Sequence, residues 1–168
     1  MVILYSADPL PSFRVAAIMK YIGVKDVRVL NGGYAKWTNA KFEVQTTANN
    51  KQPVSSFGTL VPTNRYYIMD MTDARKILAD KNGSVLVDIR SWFEYIGQIS
   101  GYDYIKFKGR PKGAIWGHDL SDFRNIDNTM RNMDEILAMW KEWEITPEKN
   151  MVFFCGTGWR ASEVLFYA

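Results

Sequence analysis

The chain of 168 residues contains one cysteine, one histidine and little excess charge. One cysteine excludes an intrachain disulfide, and no ligand spacing typical of a zinc site is present. A net charge of +3 is too small to indicate nucleic-acid binding. No apolar run is long enough for a membrane span, and the first residues lack the pattern of a signal peptide. An apolar content of 47% instead predicts a packed domain.

Apolar strand patterns alternate with helical patterns, which predicts an α/β fold with a parallel sheet. We expect strands at 2–5, 27–30, 85–87, 113–116 and 151–154. We expect helices at 13–22, 34–37, 72–78, 92–96 and 133–143, with a loosely helical polar segment at 121–131. Residues 8–11 are predicted to form a loop, with Ser12 and Thr72 as the caps of the helices that follow them.

The one cysteine follows an apolar strand and opens the segment Cys155-Gly156-Thr157-Gly158-Trp159-Arg160, after which a helical pattern begins. The amides of a tight loop and the N-terminus of a helix would face the thiol, which favours the nucleophilic thiolate. Most lone cysteines are small buried apolar residues. Such a residue needs neither two glycines nor the permanent positive charge of Arg160. The pattern therefore predicts a nucleophilic cysteine.

The N-terminal segment repeats this arrangement without the nucleophile. Residues 2–6 read as an apolar strand that leads into a loop, and residues 13–16 resemble residues 159–162. In this alignment Ser6 stands where Cys155 stands, although the first loop is three residues longer and holds two prolines. The sequence thus indicates a repeat in which only the second copy carries a reactive thiol.

Several segments, taken in order, resemble the rhodanese family of sulfurtransferases: Arg14, 27–33, Trp37, 87–90, 94–97, 109–115 and 155–160. The resemblance implies a rhodanese-like parallel sheet flanked by helices, covering part of two tandem repeats. It assigns residues 1–47 to the back half of an inactive repeat and 48–57 to a linker. Residues 58–168 would be the front part of the catalytic repeat, cut inside the helix after the active-site loop. We therefore expect a fragment that is not a stable monomer alone.

The resemblance implies a sulfurtransferase that works through a persulfide on Cys155, with no other cofactor. The donor would be thiosulfate, or a protein or small-molecule persulfide, and the acceptor a thiol, cyanide or a protein. The loop amides would bind the anion, and Arg160 would pair with its sulfonate or carboxylate. The remaining part of the same protein, on this or another chain, is an expected partner. The implied compartment is the bacterial periplasm, with the cytoplasm as the alternative.

Other residues are candidates for supporting roles. In this family Asp88 would end the strand beside the catalytic strand, where it either orients the loop or caps the strand. Arg110 and Lys112 either draw anions to the site or are solvated loop charges. Trp159 either walls the pocket or anchors the helix. His118 is expected to be structural rather than a general base.

Alternatives remain for the donor and for the reaction. Gly156 is found in mercaptopyruvate sulfurtransferases, but Trp159-Arg160 differs from the pair usual there. Glu94 replaces an arginine frequent in two-domain relatives, so thiosulfate or a protein persulfide is favoured over 3-mercaptopyruvate. Dual-specificity phosphatases share this fold, but their loop is longer and a histidine usually precedes the cysteine, where Phe154 stands here. A non-catalytic binding module fits the first repeat better than the second.

Overall fold

The strands form two parallel sheets in the computed structural model, which describes residues 1–56, 58 and 61–168. The smaller sheet pairs β1 (Val2–Leu4) with β2 (Val27–Val29). The larger sheet has β3 (Ser84–Asp88) at its centre, between β4 (Ile115–Trp116) and β5 (Asn150–Phe154). Both neighbours run parallel to β3. The predicted α/β class with parallel strands is confirmed.

The helices separate these strands along the chain. They are α1 (Pro9–Ile22), α2 (Gly33–Asn39), α3 (Met71–Ala79), α4 (Trp92–Tyr95), α5 (Met133–Lys141) and α6 (Trp159–Val164). No helix in the described residues is both long enough and apolar enough to cross a membrane.

The first helix begins earlier than the sequence predicts. Residues 9–11 lie inside α1, and the cap is Asp8 rather than Ser12, because the Asp8 carboxylate accepts a hydrogen bond from the Leu10 amide at 3.0 Å. Proline is compatible with the first turn of a helix, where its missing N–H would have no partner. The prolines therefore start this helix instead of preceding it.

The predicted cap at Thr72 is also wrong. Asp70 caps α3, and its Oδ1 accepts hydrogen bonds from the amides of Thr72 and Asp73, at 2.7 and 3.0 Å. The Asp73 side chain accepts in return from the Asp70 amide, which completes a capping box. An aspartate at this position leaves Thr72 as an ordinary first-turn residue.

The polar segment 121–131 is mostly not helical. A short 3₁₀ turn covers Leu120–Phe123, and Arg124 then pairs with Met130 in an isolated antiparallel bridge. The Asp127 side chain accepts from the amide of Thr129 at 3.1 Å, a turn that ends any helix.

Residues 41–56 are exposed and lie in neither helix nor strand. This range contains most of the predicted linker, whose last residue, 57, lies outside the described residues, as do residues 59 and 60 of the predicted second unit. The division of the chain into parts of two repeats stays a prediction.

The N-terminal segment shares the main apolar core with the strand that carries the cysteine. Helix α1 packs against α6, and the Phe13 ring lies 5.6 Å from Phe166 and 5.7 Å from Tyr167 between centroids. Below them Val87 and Trp140 are completely buried. This shared core holds α1 beside the loop that follows β5.

Candidate active site

The residues from Cys155 to Gly158 join the edge strand of the larger sheet to the short helix that follows, and Trp159 and Arg160 are the first two residues of that helix. Strand β5 ends at Phe154 and α6 begins at Trp159, so Cys155 opens the connection, as predicted. Cys155 is half-buried and unpaired. In a parallel α/β sheet the carboxyl ends of the strands form the usual ligand-binding edge, and the thiol lies at that edge.

A backbone amide of the loop points at the sulfur. The Gly158 N–H donates a hydrogen bond to Cys155 Sγ, with 3.1 Å between nitrogen and sulfur. Gly158 has a φ of +84°, in the left-handed region that favours glycine. This conformation turns the amide back toward the thiol, and an N–H donor stabilises negative charge on sulfur.

Tyr102 covers the opposite side of the loop. A Cβ added to Gly156 would lie 2.1 Å from the Tyr102 ring, so the ring packs directly against the glycine backbone. The Tyr102 hydroxyl lies 3.5 Å from Thr157 Oγ1 and accepts from Arg160 Nη2 at 3.3 Å. The sequence analysis did not identify Tyr102, because it lies in a loop with no periodic pattern.

Arg160 is paired with a buried carboxylate. Its Nη1 donates to Glu94 Oε2 at 2.7 Å and its Nη2 to Glu94 Oε1 at 3.0 Å. The sequence predicts that this guanidinium pairs with a sulfonate or carboxylate of the substrate. The structure differs because Glu94 folds under the loop from α4, and the anion-binding role of Arg160 stays a prediction.

Glu94 is 3% exposed and held by four hydrogen bonds. Burial alone raises the pKa of Glu94, but the bonds from Arg160 and from the Ser91 amide and hydroxyl outweigh it, and the pKa is lowered from its ordinary value. Burial lowers the pKa of Arg160, but the hydrogen bonds to Glu94 and Tyr102 and the attraction of nearby negative charge together outweigh it, and the pKa is raised. Both groups are therefore charged. The Ser91-to-Glu94 spacing of a capping box is the sequence signal for this position.

An arginine from the N-terminal segment contacts the loop from behind. Arg14 Nη1 donates to the Gly158 carbonyl at 3.4 Å and to Ser162 Oγ at 3.3 Å. Ser162 is buried and donates to the same carbonyl at 2.6 Å. Arg14 therefore supports the residue whose amide faces the sulfur, a role that the sequence analysis did not predict.

Comparison with known proteins agrees with this geometry. Residues 70–168 match the family model described as a rhodanese-like domain. The chain belongs to the rhodanese-like family. It is 48% identical to the thiosulfate sulfurtransferase YnjE of Escherichia coli K12 over 99% of its length, and it covers 40% of that protein. The crystal structure of YnjE superposes with a TM-score of 0.91 at 47% identity, covering 99% of this chain and 42% of that one.

A second group of similar structures comes from ergothioneine biosynthesis. One is the anaerobic ergothioneine biosynthesis enzyme of Chlorobium limicola in complex with its natural substrate trimethyl histidine. It superposes with a TM-score of 0.89 at 38% identity, covering 99% of this chain and 44% of that one. Another is a cysteine persulfide form of EanB with ergothioneine, with a TM-score of 0.90 at 40% identity, covering 100% of this chain and 44% of that one. The chain thus spans about two fifths of the length of these relatives.

Within this rhodanese-like site, Asp88 ends the strand beside the catalytic strand, opposite Phe154. Its carboxylate is completely buried and accepts from the Arg90 amide and guanidinium, at 2.7 to 3.1 Å. Arg90 in turn donates to the Gly109 carbonyl at 2.9 Å. The hydrogen bonds described for Asp88 thus stabilise the strand end, and the orientation of the cysteine loop stays a prediction.

The remaining candidates lie in the loops between β3 and α5. Arg110 donates to the Tyr95 carbonyl at 2.8 Å, and its guanidinium stacks 3.8 Å above the Tyr95 ring. Lys112 is exposed. A role of either cation in attracting anions stays a prediction. His118 stacks on Trp116 at 4.5 Å between centroids and lies 3.4 Å from an Asp122 carboxylate oxygen, contacts that suit a structural residue.

Three further features bear on the site. Ser6, the counterpart of the cysteine, shares a hydrogen bond with Ser12 Oγ at 2.6 Å and donates to the Asp8 carbonyl, so its hydroxyl serves the start of α1. In the described part of the chain, histidine, cysteine and acidic side chains do not form a cluster of three that could hold a metal ion. Trp159 is 42% exposed at the first position of α6.

Proposed function

We propose that this chain carries the catalytic site of a sulfurtransferase that transfers sulfane sulfur through a persulfide on Cys155. The observation that carries the proposal is the hydrogen bond from the Gly158 amide to Cys155 Sγ, 3.1 Å long, in the loop between a parallel strand and a helix. This amide stabilises the thiolate before the transfer and the sulfur anion after it. The similarity to a named thiosulfate sulfurtransferase supports thiosulfate as a donor.

The reaction has two displacement steps. The Cys155 thiolate attacks the outer sulfur of thiosulfate, the sulfur–sulfur bond of the donor breaks, and sulfite leaves with the bonding electron pair. The enzyme then holds a persulfide anion. In the second step cyanide or a thiolate attacks the terminal sulfur, thiocyanate or a new persulfide leaves, and the Cys155 thiolate is regenerated. No net oxidation occurs, so the cycle needs no redox cofactor.

The acceptor is proposed to come from outside this chain. Cys155 is the only cysteine in the sequence, so no second thiol of the chain can receive the sulfur. A small thiol, cyanide or a cysteine of another protein meets the chemical requirement. The remaining part of the same protein, on this or another chain, is a further proposed partner, and the bacterial periplasm is the proposed compartment, with the cytoplasm as the alternative.

An imidazole acceptor is a second candidate. The solved ergothioneine enzymes bind trimethyl histidine or ergothioneine, and one was solved with a valine variant of the threonine two positions after its persulfide cysteine. Thr157 has the same spacing from Cys155. The Tyr102 hydroxyl, 3.5 Å from the Thr157 hydroxyl, provides a second polar group that could bind a ring nitrogen.

3-Mercaptopyruvate remains the alternative donor. Its carboxylate needs a cation, and the guanidinium of Arg160 is occupied by Glu94. We therefore expect lower kcat/KM with 3-mercaptopyruvate than with a persulfide of low negative charge, and steady-state rates with these two donors test this order.

Intact-mass measurement tests the mechanism. We expect the protein treated with thiosulfate to gain one sulfur atom, and the gain to disappear after addition of cyanide. Cys155→Ser should show no gain, whereas Ser6→Ala should load as the parent does. Absence of a persulfide with thiosulfate, polysulfide and glutathione persulfide would overturn the proposal. Treatment of the loaded protein with trimethyl histidine, followed by detection of a thiolated imidazole, separates the second candidate from the first.

A further inference from the structure

A residue outside the catalytic loop determines how much positive charge the loop offers. Both terminal nitrogens of Arg160 donate to the two carboxylate oxygens of Glu94, at 2.7 and 3.0 Å. A guanidinium uses the same pair of donors to bind a sulfonate or a substrate carboxylate. An anionic substrate must therefore displace Glu94 from Arg160 or bind without a bidentate contact to the guanidinium.

Displacement of Glu94 is strongly unfavourable. Its Oε2 also accepts from the Ser91 amide and hydroxyl, each at 3.1 Å, and the side chain is almost completely buried. Loss of Arg160 would leave a buried carboxylate without its cation, which costs much more free energy than breaking an exposed ion pair. The Tyr102 hydroxyl also accepts from Arg160 Nη2 and closes the other side of the guanidinium.

The charges of the two paired side chains beside the sulfur therefore cancel, and the thiolate leaves the site with a net negative charge. Arg160 contributes +1 and Glu94 −1, and the Cys155 thiolate itself adds −1. Arg14 is a further cation at the loop, but its described hydrogen bonds are to the Gly158 carbonyl and the Ser162 hydroxyl, on the side of α1 and α6. A site of this composition lacks the excess of positive charge that would favour a dianion.

We propose that Glu94 is a specificity-determining residue, which neutralises Arg160 and so disfavours anionic sulfur donors relative to donors with an uncharged group at that position. The proposal rests on the sulfur transfer through Cys155 proposed above. It names the preferred substrate class as a persulfide carried by a protein or by a thiol of low negative charge, ahead of the thiosulfate dianion.

Alkylation of Cys155 measures this charge effect without any transfer of sulfur. Iodoacetate and iodoacetamide both alkylate the thiolate and release iodide, but the first is an anion and the second is neutral. The ratio of their rate constants cancels the thiolate fraction and reports the local charge. In Glu94→Gln we expect the ratio of iodoacetate to iodoacetamide to rise roughly ten-fold at low salt, because one negative charge near the sulfur is lost. The rise should shrink at about 1 M salt. An unchanged or lower ratio would overturn the proposal.

A matched control variant distinguishes the effect of the charge near the sulfur from the effect of losing a capping carboxylate. Glu135 occupies the same place in the capping box of α5, where it accepts from the Asn132 amide and pairs with Arg131. Glu135→Gln removes the same charge and the same type of cap. We expect its alkylation ratio to stay within about two-fold of the parent's ratio. An equal rise in Glu94→Gln and Glu135→Gln would refute a local effect.

The double variant Glu94→Gln/Arg160→Gln keeps the test valid if the single variant does not fold. It removes both charges and retains two polar amides of similar size. If Glu94 neutralises Arg160, the double variant keeps an alkylation ratio near that of the parent. If Arg160 attracts anions in spite of Glu94, the alkylation ratio of the double variant falls about ten-fold below that of the parent.

Sulfur loading distinguishes this inference from the proposed function. We expect Glu94→Gln to load from thiosulfate faster than the parent, by a factor similar to the alkylation ratio. If Glu94→Gln forms the persulfide but neither its loading rate nor its alkylation ratio differs from the parent's, the sulfurtransferase proposal stands and the role of Glu94 is refuted. A changed alkylation ratio with no persulfide in any variant refutes the sulfurtransferase instead.

Discussion

Substitution of Gly156 by alanine should show how far the site depends on the packing of Tyr102 against the loop. The backbone of Gly156 is outside the left-handed region, so alanine fits its conformation, and the only obstacle is steric. An added Cβ would lie 2.1 Å from one ring carbon of Tyr102, and 2.6 Å from another and from the hydroxyl oxygen. The ring must therefore move by more than 1 Å to restore van der Waals contact at about 3.5 Å.

The magnitude follows from what the ring loses. Overpacking costs about 1–3 kcal/mol, and Tyr102 is only half-buried, so we expect the free energy of unfolding to fall by about 1 kcal/mol. The moved ring also loses the hydrogen bond from Arg160 and the contact with Thr157. We expect the rate of persulfide formation on Cys155 to fall about ten-fold, which corresponds to about 1.4 kcal/mol.

A double-mutant cycle provides the assay. Denaturant unfolding and sulfur-loading rates are measured for the parent, Gly156→Ala, Tyr102→Ala and the combination. In the Tyr102→Ala background the obstacle is gone, so Gly156→Ala should cost less than about 0.5 kcal/mol in stability. Equal costs in both backgrounds would refute the reasoning, because the effect would then belong to the loop backbone and not to the ring.

Three further predictions concern the charges around the loop. Arg14→Met should lower the sulfur-loading rate several-fold with little change in melting temperature, because Gly158 loses support at its carbonyl; a normal rate contradicts this. Arg124→Met should lower the free energy of unfolding by about 3–5 kcal/mol, because it leaves the buried Glu163 carboxylate without its cation; chemical denaturation measures it. The pKa of Glu94 is lowered on folding, so its stabilising contribution is fully present above its unfolded pKa of 4.5 and is lost as pH falls through the folded value. Glu94→Gln should therefore be less stable than the parent at pH ~7, and the gap should narrow on acidification below pH ~4; a constant gap in unfolding measurements contradicts this.

The features that could be predicted from the sequence are those determined by residues that are close together along the chain. The order strand, loop, helix around Cys155 depends on residues that follow one another, from the apolar run of β5 to the glycines of the loop. The parallel sheet followed from the alternation of strand and helix patterns. The wrong helix starts were local as well. The better N-caps were aspartates four and two positions earlier, Asp8 and Asp70.

The features that were missed depend on contacts between distant parts of the chain. Tyr102 reaches Thr157 across 55 positions, and Arg14 reaches Ser162 across 148. Tyr102 lies in no periodic pattern, and the helical pattern around Arg14 does not indicate which distant element its side chain contacts. Their positions result from the packing of α1 on α6 and from the course of the loop after α4, which only the folded chain determines.

Arg160 shows that a motif can identify a residue without giving the charge that its surroundings leave to it. An arginine five positions after a nucleophilic cysteine indicates an anion site, because a guanidinium is always charged and binds oxyanions in a bidentate manner. Its effect on a substrate depends on the remaining charge, and Glu94, 66 positions earlier, cancels that charge through the same bidentate geometry. The two side chains meet because the capping box of α4 directs the Glu94 carboxylate toward the carboxyl edge of the sheet. The donor preference that we propose is therefore a property of the pair, and any relative with the same loop but a neutral residue at the position of Glu94 should prefer more anionic donors.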